Sequence, residues 1–149
     1  MADRTGLIGH AYPPYSFPVE HGKVREFALA VKDRDPVYLD VEKARSAGYA
    51  HLPVPPTFSA VTAHWAVRDG EDVLGLNLRR VLAGGAEWEY LGDVVVGDVL
   101  TVRSRIADVL DKSGSRGPMT LIVTEHEFVN QHAETVMRLR STVIELGEQ

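Results

Sequence analysis

The stretch Asp33-Arg34-Asp35-Pro36-Val37-Tyr38 ends the first helix that the sequence predicts and carries the acidic side chains that bear on function. Just upstream, apolar residues recur at intervals of three and four, which predicts a helix over residues 22–31. The residue before a proline is pushed out of the helical region, so Pro36 ends that helix. On local chemistry alone Asp33 is a solvated turn or capping residue, because aspartate is common in such positions.

The rest of the first half also has a helical pattern. A short helix is predicted from Asp40 to Ala47, with Asp40 as its N-cap and Gly48 as its stop. The turn Pro53-Val54-Pro55-Pro56 follows, and a longer helix is predicted from Thr57 to about Arg68. That helix is apolar on most sides, which is typical of a buried helix.

From about residue 75 the period changes to two. Ala86, Trp88 and Tyr90 alternate with glutamates, and three further strands are predicted over residues 99–110, 119–130 and 135–144. Gly84-Gly85 marks a strand start or a β-bulge, and residues 111–118 are predicted to be a loop. Long antiparallel strands that follow helices indicate an α+β domain, with a sheet packed around a helix.

Composition excludes several classes of function. A length of 149 residues predicts one domain over 1–149. The net charge of −5 and the absence of a Lys/Arg cluster give no reason to expect a nucleic-acid or membrane partner. The chain has no cysteine, and its first residues lack a signal-peptide pattern, so we expect a cytoplasmic protein. The six histidines show no metal-ligand spacing.

The chain resembles the MaoC-like dehydratases, which act on enoyl and 3-hydroxyacyl thioesters, and in particular their N-terminal-type domain. The resemblance implies a hot-dog fold, an antiparallel sheet wrapped around one long buried helix. It covers nearly the whole chain and rests on six segments in the expected order. These segments are Gly22-Lys-Val-Arg-Glu-Phe-Ala28, Asp35-Pro36, Ala47-Gly48-Tyr49, Pro55-Pro-Thr-Phe58, Gly97-Asp98-Val99-Leu100 and Arg140-Ser-Thr142.

The same resemblance assigns chemistry to the opening stretch. In the family this loop has the form Asp-x-Asn-Pro-aliphatic-His, and its Asp and His form the catalytic pair. Asp33 matches the catalytic Asp, whereas Tyr38 stands at the His position and Asp35 at the Asn position. A tyrosine with a pKa near ~10 is a poor base at neutral pH. Asp35 is interpreted as a loop residue that makes a local turn hydrogen bond.

The remaining site candidates follow from the predicted buried helix. Its start, Pro56 to Phe58, would offer backbone N–H groups to a thioester oxygen that gains negative charge. Phe58, Val61 and Trp65 share one helix face, which is core or the lining of an acyl tunnel. His51, just before the proline-rich turn, is a reserve catalytic candidate.

Three functions stay open. The first is the acyl-thioester-binding subunit of a (3R)-hydroxyacyl-thioester dehydratase, active with a partner that bears Asp and His. The alternatives are a self-sufficient homodimeric enoyl-CoA hydratase that uses Asp33, and a non-enzymatic acyl-binding module. The resemblance implies a substrate on coenzyme A or acyl carrier protein, a homodimer or heterodimer, and no metal or other cofactor.

Overall fold

The computed structural model of the chain describes residues 4–65, 73–115 and 117–147. Its strands form one antiparallel sheet in the order β1-β3-β4-β5-β2. The strands are β1 (Ala11–Pro18), β2 (Val81–Tyr90), β3 (Val99–Gly114), β4 (Gly117–Val129) and β5 (Thr135–Leu146). The helices are α1 (His21–Ala30), α2 (Val41–Ser46) and 3-10 helices at Thr5–Leu7, Pro36–Tyr38, Phe58–His64 and Leu78–Arg80.

The strands of the second half confirm the period-two prediction, with one correction. The loop predicted over residues 111–118 is wrong, because β3 runs to Gly114 and β4 begins at Gly117, and these two glycines face each other in the ladder. Glycine, serine and proline at the exposed ends of both strands hide the alternation that marks the rest of the hairpin.

Strand β1 was not predicted, and the expectation of a helical first half is wrong for residues 11–18. The sequence carries Pro13 and Pro14 here, which argue against a strand. In the structure β1 is an edge strand, and its register against β3 shifts between Tyr12 and Tyr15, where the two prolines lie. An edge strand tolerates proline because one side of its backbone needs no partner.

Both short helices of the first half are confirmed. α1 lies one residue from its predicted start, and α2 is capped by Asp40, whose Oδ1 accepts hydrogen bonds from the N–H groups of Glu42 (2.8 Å) and Lys43 (3.2 Å). Gly48 follows α2 with a φ of 100°, a left-handed conformation that glycine adopts without steric cost.

The helix predicted from Thr57 to Arg68 is a 3-10 helix, and not an α-helix, where the structure describes it. The structure has a seven-residue 3-10 helix at Phe58–His64, and residues 66–68 lie outside the described part of the chain. Thr57 precedes it with a φ of 66°, and the turns close through i to i−3 bonds such as Ala60 N–H to the Thr57 carbonyl. The helix is buried on one side only, since Phe58 is buried and Ala60 is exposed.

The main core lies between this 3-10 helix, α1 and one face of the sheet. Alternate side chains of β3, β4 and β5 point into it because successive residues of a strand face opposite sides. The buried members are Phe17, Val19, Val24, Phe58, Val94, Leu100, Val102, Phe128, Val136 and Met137. A smaller cluster of Ile106, Val109 and Ile122 packs under Leu7 and Leu74.

A buried ion pair ties three remote segments together. Arg4 Nη1 donates to Glu145 Oε2 at 2.7 Å, and the two side chains are only 8% and 4% exposed. Arg4 also donates to the carbonyls of Leu74 and Gly75, and the N–H of Asn77 donates to Glu145 Oε1 at 2.8 Å. Burial raises the pKa of Glu145, but these hydrogen bonds and the arginine charge outweigh it and hold the pKa below its usual 4.5.

The Gly84-Gly85 prediction of a bulge is confirmed, because the β2–β5 register shifts between Ala83 and Gly85. A Cβ on Gly84 would lie 2.8 Å from Cγ1 of Ile144, whereas a Cβ on Gly85 meets nothing within 4 Å. We therefore expect Gly84→Ala to lower the free energy of unfolding by about 1–3 kcal/mol. Gly85→Ala is the matched control, and its free energy of unfolding, measured by urea denaturation, should stay within about 0.5 kcal/mol of wild type. Equal losses in both variants would contradict this assignment.

The Arg4–Glu145 pair predicts a pH dependence. Because the folded pKa of Glu145 is depressed, its contribution is present above the unfolded pKa near 4.5 and is lost as pH falls through the folded value. Glu145→Gln leaves Arg4 buried without its anion, so it should cost on the order of 3 kcal/mol at pH 7. The difference from wild type should shrink below pH 4.5, as measured by urea unfolding. A difference that grows on acidification would contradict the prediction.

Candidate functional site

The loop after α1 is fixed by the way that helix ends. Lys32 adopts a left-handed φ of 61°, its N–H donates to the Leu29 carbonyl at 3.1 Å, and the N–H of Asp33 donates to the Ala28 carbonyl at 2.9 Å. A non-glycine residue in this conformation is strained, and such strain clusters at functional sites. Asp33 therefore leaves α1 in a direction set by the helix terminus.

Both carboxylates of the loop accept hydrogen bonds from its own backbone. Asp33 Oδ1 accepts from the Asp35 N–H at 3.0 Å, and Asp35 Oδ1 accepts from the Val37 N–H at 3.0 Å. The second bond caps the 3-10 helix Pro36–Tyr38 and confirms that Asp35 makes a local turn hydrogen bond. Asp33 is half-buried and holds the loop closed, while Asp35 is exposed.

Tyr38 lies half-buried on that 3-10 helix, which packs against α1 and α2. Burial raises the pKa of its hydroxyl above 10.0, and the charges of Asp33 and Asp35 and the neighbouring Tyr49 raise it further. The hydroxyl therefore stays protonated at neutral pH. It can donate a hydrogen bond, but it cannot act as the proton acceptor that a histidine would be in this place.

The start of the Phe58–His64 helix is already hydrogen-bonded. The Thr57 N–H donates to Tyr90 Oη at 3.2 Å, the Phe58 N–H donates to the Pro55 carbonyl at 3.1 Å, and Pro56 has no N–H. In this arrangement Tyr90 occupies the position at Thr57 that a thioester oxygen would need.

The predicted acyl-lining face is packed into the core at Phe58, which is buried, and is open to solvent at Trp65, which is 37% exposed. Phe58 meets Phe27 and Phe17 edge-on, with ring centroids 5.5 and 6.0 Å apart. Trp65 meets Phe17 at 5.4 Å and donates its indole N–H to the Ser16 carbonyl, while Val61 is half-buried against the same cluster. The space left beside Phe58 is about 10 Å³, which at most admits one water.

The hydrogen bond that holds His51 lies in a different segment from those of the two loop carboxylates. Its Nδ1 accepts the Leu52 N–H at 2.8 Å, and its ring lies 6.3 Å from that of His21. With Nδ1 used as an acceptor, the neutral ring carries its proton on Nε2. α1 contacts both the Tyr38 helix and the Phe58 helix.

Sequence reasoning gave no site role to Tyr49, which it quoted only within the segment Ala47-Gly48-Tyr49, or to Tyr90, because each reaches the site through tertiary folding. It also missed a polar cluster on the core side of the sheet. There His126 Nδ1 lies 2.8 Å from Ser104 Oγ, and its Nε2 lies 3.3 Å from Ser141 Oγ. The register of β3 against β4, in which Ser104 faces His126, is the signal that a pairing prediction could have used.

Comparison with known proteins assigns the chain to a family. A family model described as the FAS1-like dehydratase domain region matches residues 6–139. The chain belongs to this family. It is 41% identical over 120 residues to a UPF0336 protein of Streptomyces avermitilis, covering 77% of this chain and 79% of that protein. A second relative, UPF0336 protein Lxx02810 of Leifsonia xyli, is 34% identical over 146 residues, with 96% and 95% covered.

Solved structures confirm the hot-dog fold and the MaoC-like dehydratase resemblance. The HadBC (3R-hydroxyacyl-ACP dehydratase) complex of Mycobacterium tuberculosis has a chain with 27% identity, a TM-score of 0.79 and coverage of 93% of this chain and 96% of its own. A MaoC-like dehydratase matches at 27% identity and a TM-score of 0.82, with 94% of this chain and 42% of the longer chain covered. None of the helices in the described ranges is long and apolar enough to cross a membrane.

The surroundings of Tyr38 predict its titration. Its hydroxyl should ionise above pH 10, because burial and the charges of Asp33 and Asp35 disfavour the phenolate. The measurement is an absorbance titration of phenolate formation in wild type and in Tyr38→Phe, whose difference curve isolates one phenol. Asp35→Asn should move that curve to lower pH, because it removes one of the two charges. A difference curve centred below pH 10 would contradict the described environment.

Proposed function

We propose that this chain is the non-catalytic, acyl-thioester-binding protomer of a (3R)-hydroxyacyl-thioester dehydratase, working in fatty-acid or related acyl metabolism in the cytoplasm. The observation that carries the proposal is the state of the opening loop. One carboxylate oxygen of Asp33 and one of Asp35 each accept a hydrogen bond from a backbone N–H group, and Tyr38 stays protonated at neutral pH. The unit that performs this role is the one domain over residues 1–149.

The chemistry explains why this loop is unsuited to work alone. Dehydration removes the proton α to the thioester and expels the 3-hydroxyl as water, so it needs groups that exchange protons near neutral pH. A histidine beside a carboxylate meets that need, and a tyrosine with a raised pKa does not. In the proposal a MaoC-like partner supplies the Asp and His.

The contribution of this chain is the segment Pro56–Phe58 with Val61 and Trp65. In the proposal an acyl thioester displaces Tyr90 Oη from the Thr57 N–H, so that the backbone donates to the thioester oxygen. Tyr90 is able to leave because it lies on the exposed edge strand β2 and is about half exposed. Since the space beside Phe58 is nearly filled in the lone chain, the acyl group requires this segment to shift when it binds.

Two further observations support a two-protomer enzyme. The HadBC structure, which this chain resembles over almost its full length, is a complex described as a 3R-hydroxyacyl-ACP dehydratase. The chain also keeps the whole sheet and both helices that shape the loop, so the substitution at Tyr38 changes the chemistry and leaves the fold intact.

The test measures hydration of a short trans-2-enoyl-CoA by the loss of its enoyl-thioester absorbance. We expect no turnover by the chain alone. We expect turnover above the partner's own rate when the chain is mixed with a MaoC-like protomer that has an intact Asp-x-Asn-Pro-x-His loop and is encoded beside it. Robust turnover by the lone chain would overturn the proposal in favour of a self-sufficient hydratase.

The matched variant is Asp33→Asn, which keeps an oxygen to accept the Asp35 N–H and removes the charge. In the proposed function this variant stimulates the partner within about threefold of wild type, because the partner does the chemistry. Loss of stimulation by 100-fold or more would make Asp33 a catalytic residue, since removing one essential acid–base group costs about 10²–10⁴ in rate. Thioester binding without stimulation would identify a binding module instead.

A further inference from the structure

Two buried hydroxyls, those of Ser59 and Thr62, lie on one face of the Phe58–His64 helix. Each of the two residues is only 5% exposed. A 3-10 helix has three residues per turn, so side chains at positions i and i+3 lie directly above one another. An α-helix, with about 3.6 residues per turn, would set the same side chains apart around its axis. The 3-10 geometry therefore aligns these two hydroxyls.

The hydrogen bonds of the two side chains leave one donor and one acceptor. Ser59 Oγ accepts the indole N–H of Trp88 at 2.9 Å. Thr62 Oγ1 donates its proton to the Ser59 carbonyl at 2.7 Å. A hydroxyl has one proton and two lone pairs. Among the residues that the structure describes, the proton of the Ser59 hydroxyl has no acceptor and Thr62 Oγ1 accepts from no donor.

The small cavity beside Phe58 is the space that both side chains border. Ser59 and Thr62 belong to its lining, and its volume of about 10 Å³ has room for one oxygen-sized group. The other side chains around it are mostly apolar, among them Phe17, Phe128 and Met137. A buried donor without an acceptor destabilises the folded state, so this site favours an oxygen atom in the cavity.

The donor and the acceptor together match an alcohol. A hydroxyl oxygen in the cavity can accept the Ser59 proton and donate its own proton to Thr62 Oγ1. A ketone oxygen at the same place can accept from Ser59 but has no proton for Thr62. A methylene group can do neither, and it leaves both buried side chains without the bond. The pair therefore distinguishes a hydroxyl from a ketone and from a saturated carbon.

The cavity adjoins the place of the thioester oxygen. Tyr90, whose Oη accepts the Thr57 N–H at 3.2 Å, also lines the cavity. Ser59 follows Thr57 by two residues, which is about 4 Å along the axis of a 3-10 helix. When a thioester oxygen replaces Tyr90 Oη at the Thr57 N–H, a group on the third carbon of the acyl chain is within reach of the Ser59 hydroxyl.

We propose that Ser59 and Thr62 are specificity-determining residues that bind the 3-hydroxyl of an acyl thioester, with Trp88 as the positioning residue that orients Ser59. The inference rests on the proposed function and assigns to it the residues that select the hydroxylated chain. Because Trp88 occupies one lone pair of Ser59 Oγ, the proton of that hydroxyl is directed away from the indole. An enoyl product has lost the 3-hydroxyl as water, so it forms neither bond and leaves more readily than the substrate.

The test compares the binding of three coenzyme A thioesters of equal chain length by calorimetry: (3R)-3-hydroxybutyryl-CoA, acetoacetyl-CoA and butyryl-CoA. Wild type should bind the 3-hydroxy compound about tenfold or more tightly than butyryl-CoA, because a site built for a hydroxyl rejects the analogue that lacks it. Acetoacetyl-CoA should lie between the two. Ser59→Ala and the isosteric Thr62→Val should each weaken binding of the 3-hydroxy compound and leave butyryl-CoA within about twofold of wild type.

The matched control is Tyr15→Phe, which removes a different hydrogen bond to the same helix, from Tyr15 Oη to the Thr62 carbonyl at 3.3 Å. It should keep the preference for the 3-hydroxy compound within about twofold of wild type. A second readout is the indole N–H resonance of Trp88, identified by its loss in Trp88→Phe. The 3-hydroxy compound should shift this resonance more than butyryl-CoA does, because it changes the bonding of the hydroxyl that accepts the indole proton.

The inference is overturned if wild type binds butyryl-CoA as tightly as the 3-hydroxy compound, a result that needs no variant to fold. It is also overturned if Ser59→Ala weakens all three thioesters equally, or if Tyr15→Phe loses the preference as well, since either result indicates a structural role only. Binding of all three thioesters without preference leaves the proposed function intact. If none of the three binds, the inference fails too, and stimulation of a partner's hydratase then decides the proposed function separately.

Discussion

The antiparallel pairing of β3 with β4 and of β4 with β5 is the constraint on which the rest of the molecule depends. A side-chain period of two means that one register fixes both faces at once, and a slip of one residue would exchange them. The register observed puts Val102, Phe128 and Met137 into one core. Their charged neighbours along the same strands, Arg103, Glu127 and Arg138, therefore lie on the other side of the sheet. A core against α1 and a charged outer face are two results of one set of hydrogen bonds.

The core in turn positions the loop from Asp33 to Tyr38. α1 is held by Val24 and Ala28, both fully buried, and it contacts the two 3-10 helices that carry Tyr38 and Phe58. Two residues have a left-handed backbone conformation: Lys32 precedes the loop, and Thr57 precedes the Phe58 helix. Backbone strain at these two points persists only because the packing around α1 over-determines it.

Much of this could be predicted from local patterns. The period of three and four gave α1, the cap at Asp40 gave α2, and alternation gave four of the five strands. Strand β1 was hidden by Pro13 and Pro14, which a sequence pattern treats as breakers and an edge position tolerates. The apolar stretch after Thr57 has the composition of a buried helix, but its described part is a short 3-10 helix that begins from a left-handed residue.

The candidate site also has one part that the sequence predicts and one part that only the tertiary structure shows. Asp33, Asp35 and Tyr38 were singled out because the stretch that holds them resembles one loop of the MaoC-like family, and the hydrogen bonds of the two aspartates are local. Tyr49 and Tyr90 act through space, and only tertiary structure brings their hydroxyls to the loop and to Thr57. The reserve role of His51 stays a prediction, because its bonding to Leu52 neither requires nor forbids it.

The buried contact between Arg4 and Glu145 also brings together the two ends of the described fold. It holds the fourth residue of the chain against the last strand, so the beginning and the end of the described fold are neighbours in space. Ends that meet in this way can be joined by a short linker, and new termini can be opened in an exposed turn such as that between β4 and β5. The architecture is thereby open to circular permutation, and to tandem fusion in which a second hot-dog unit follows the first along one chain.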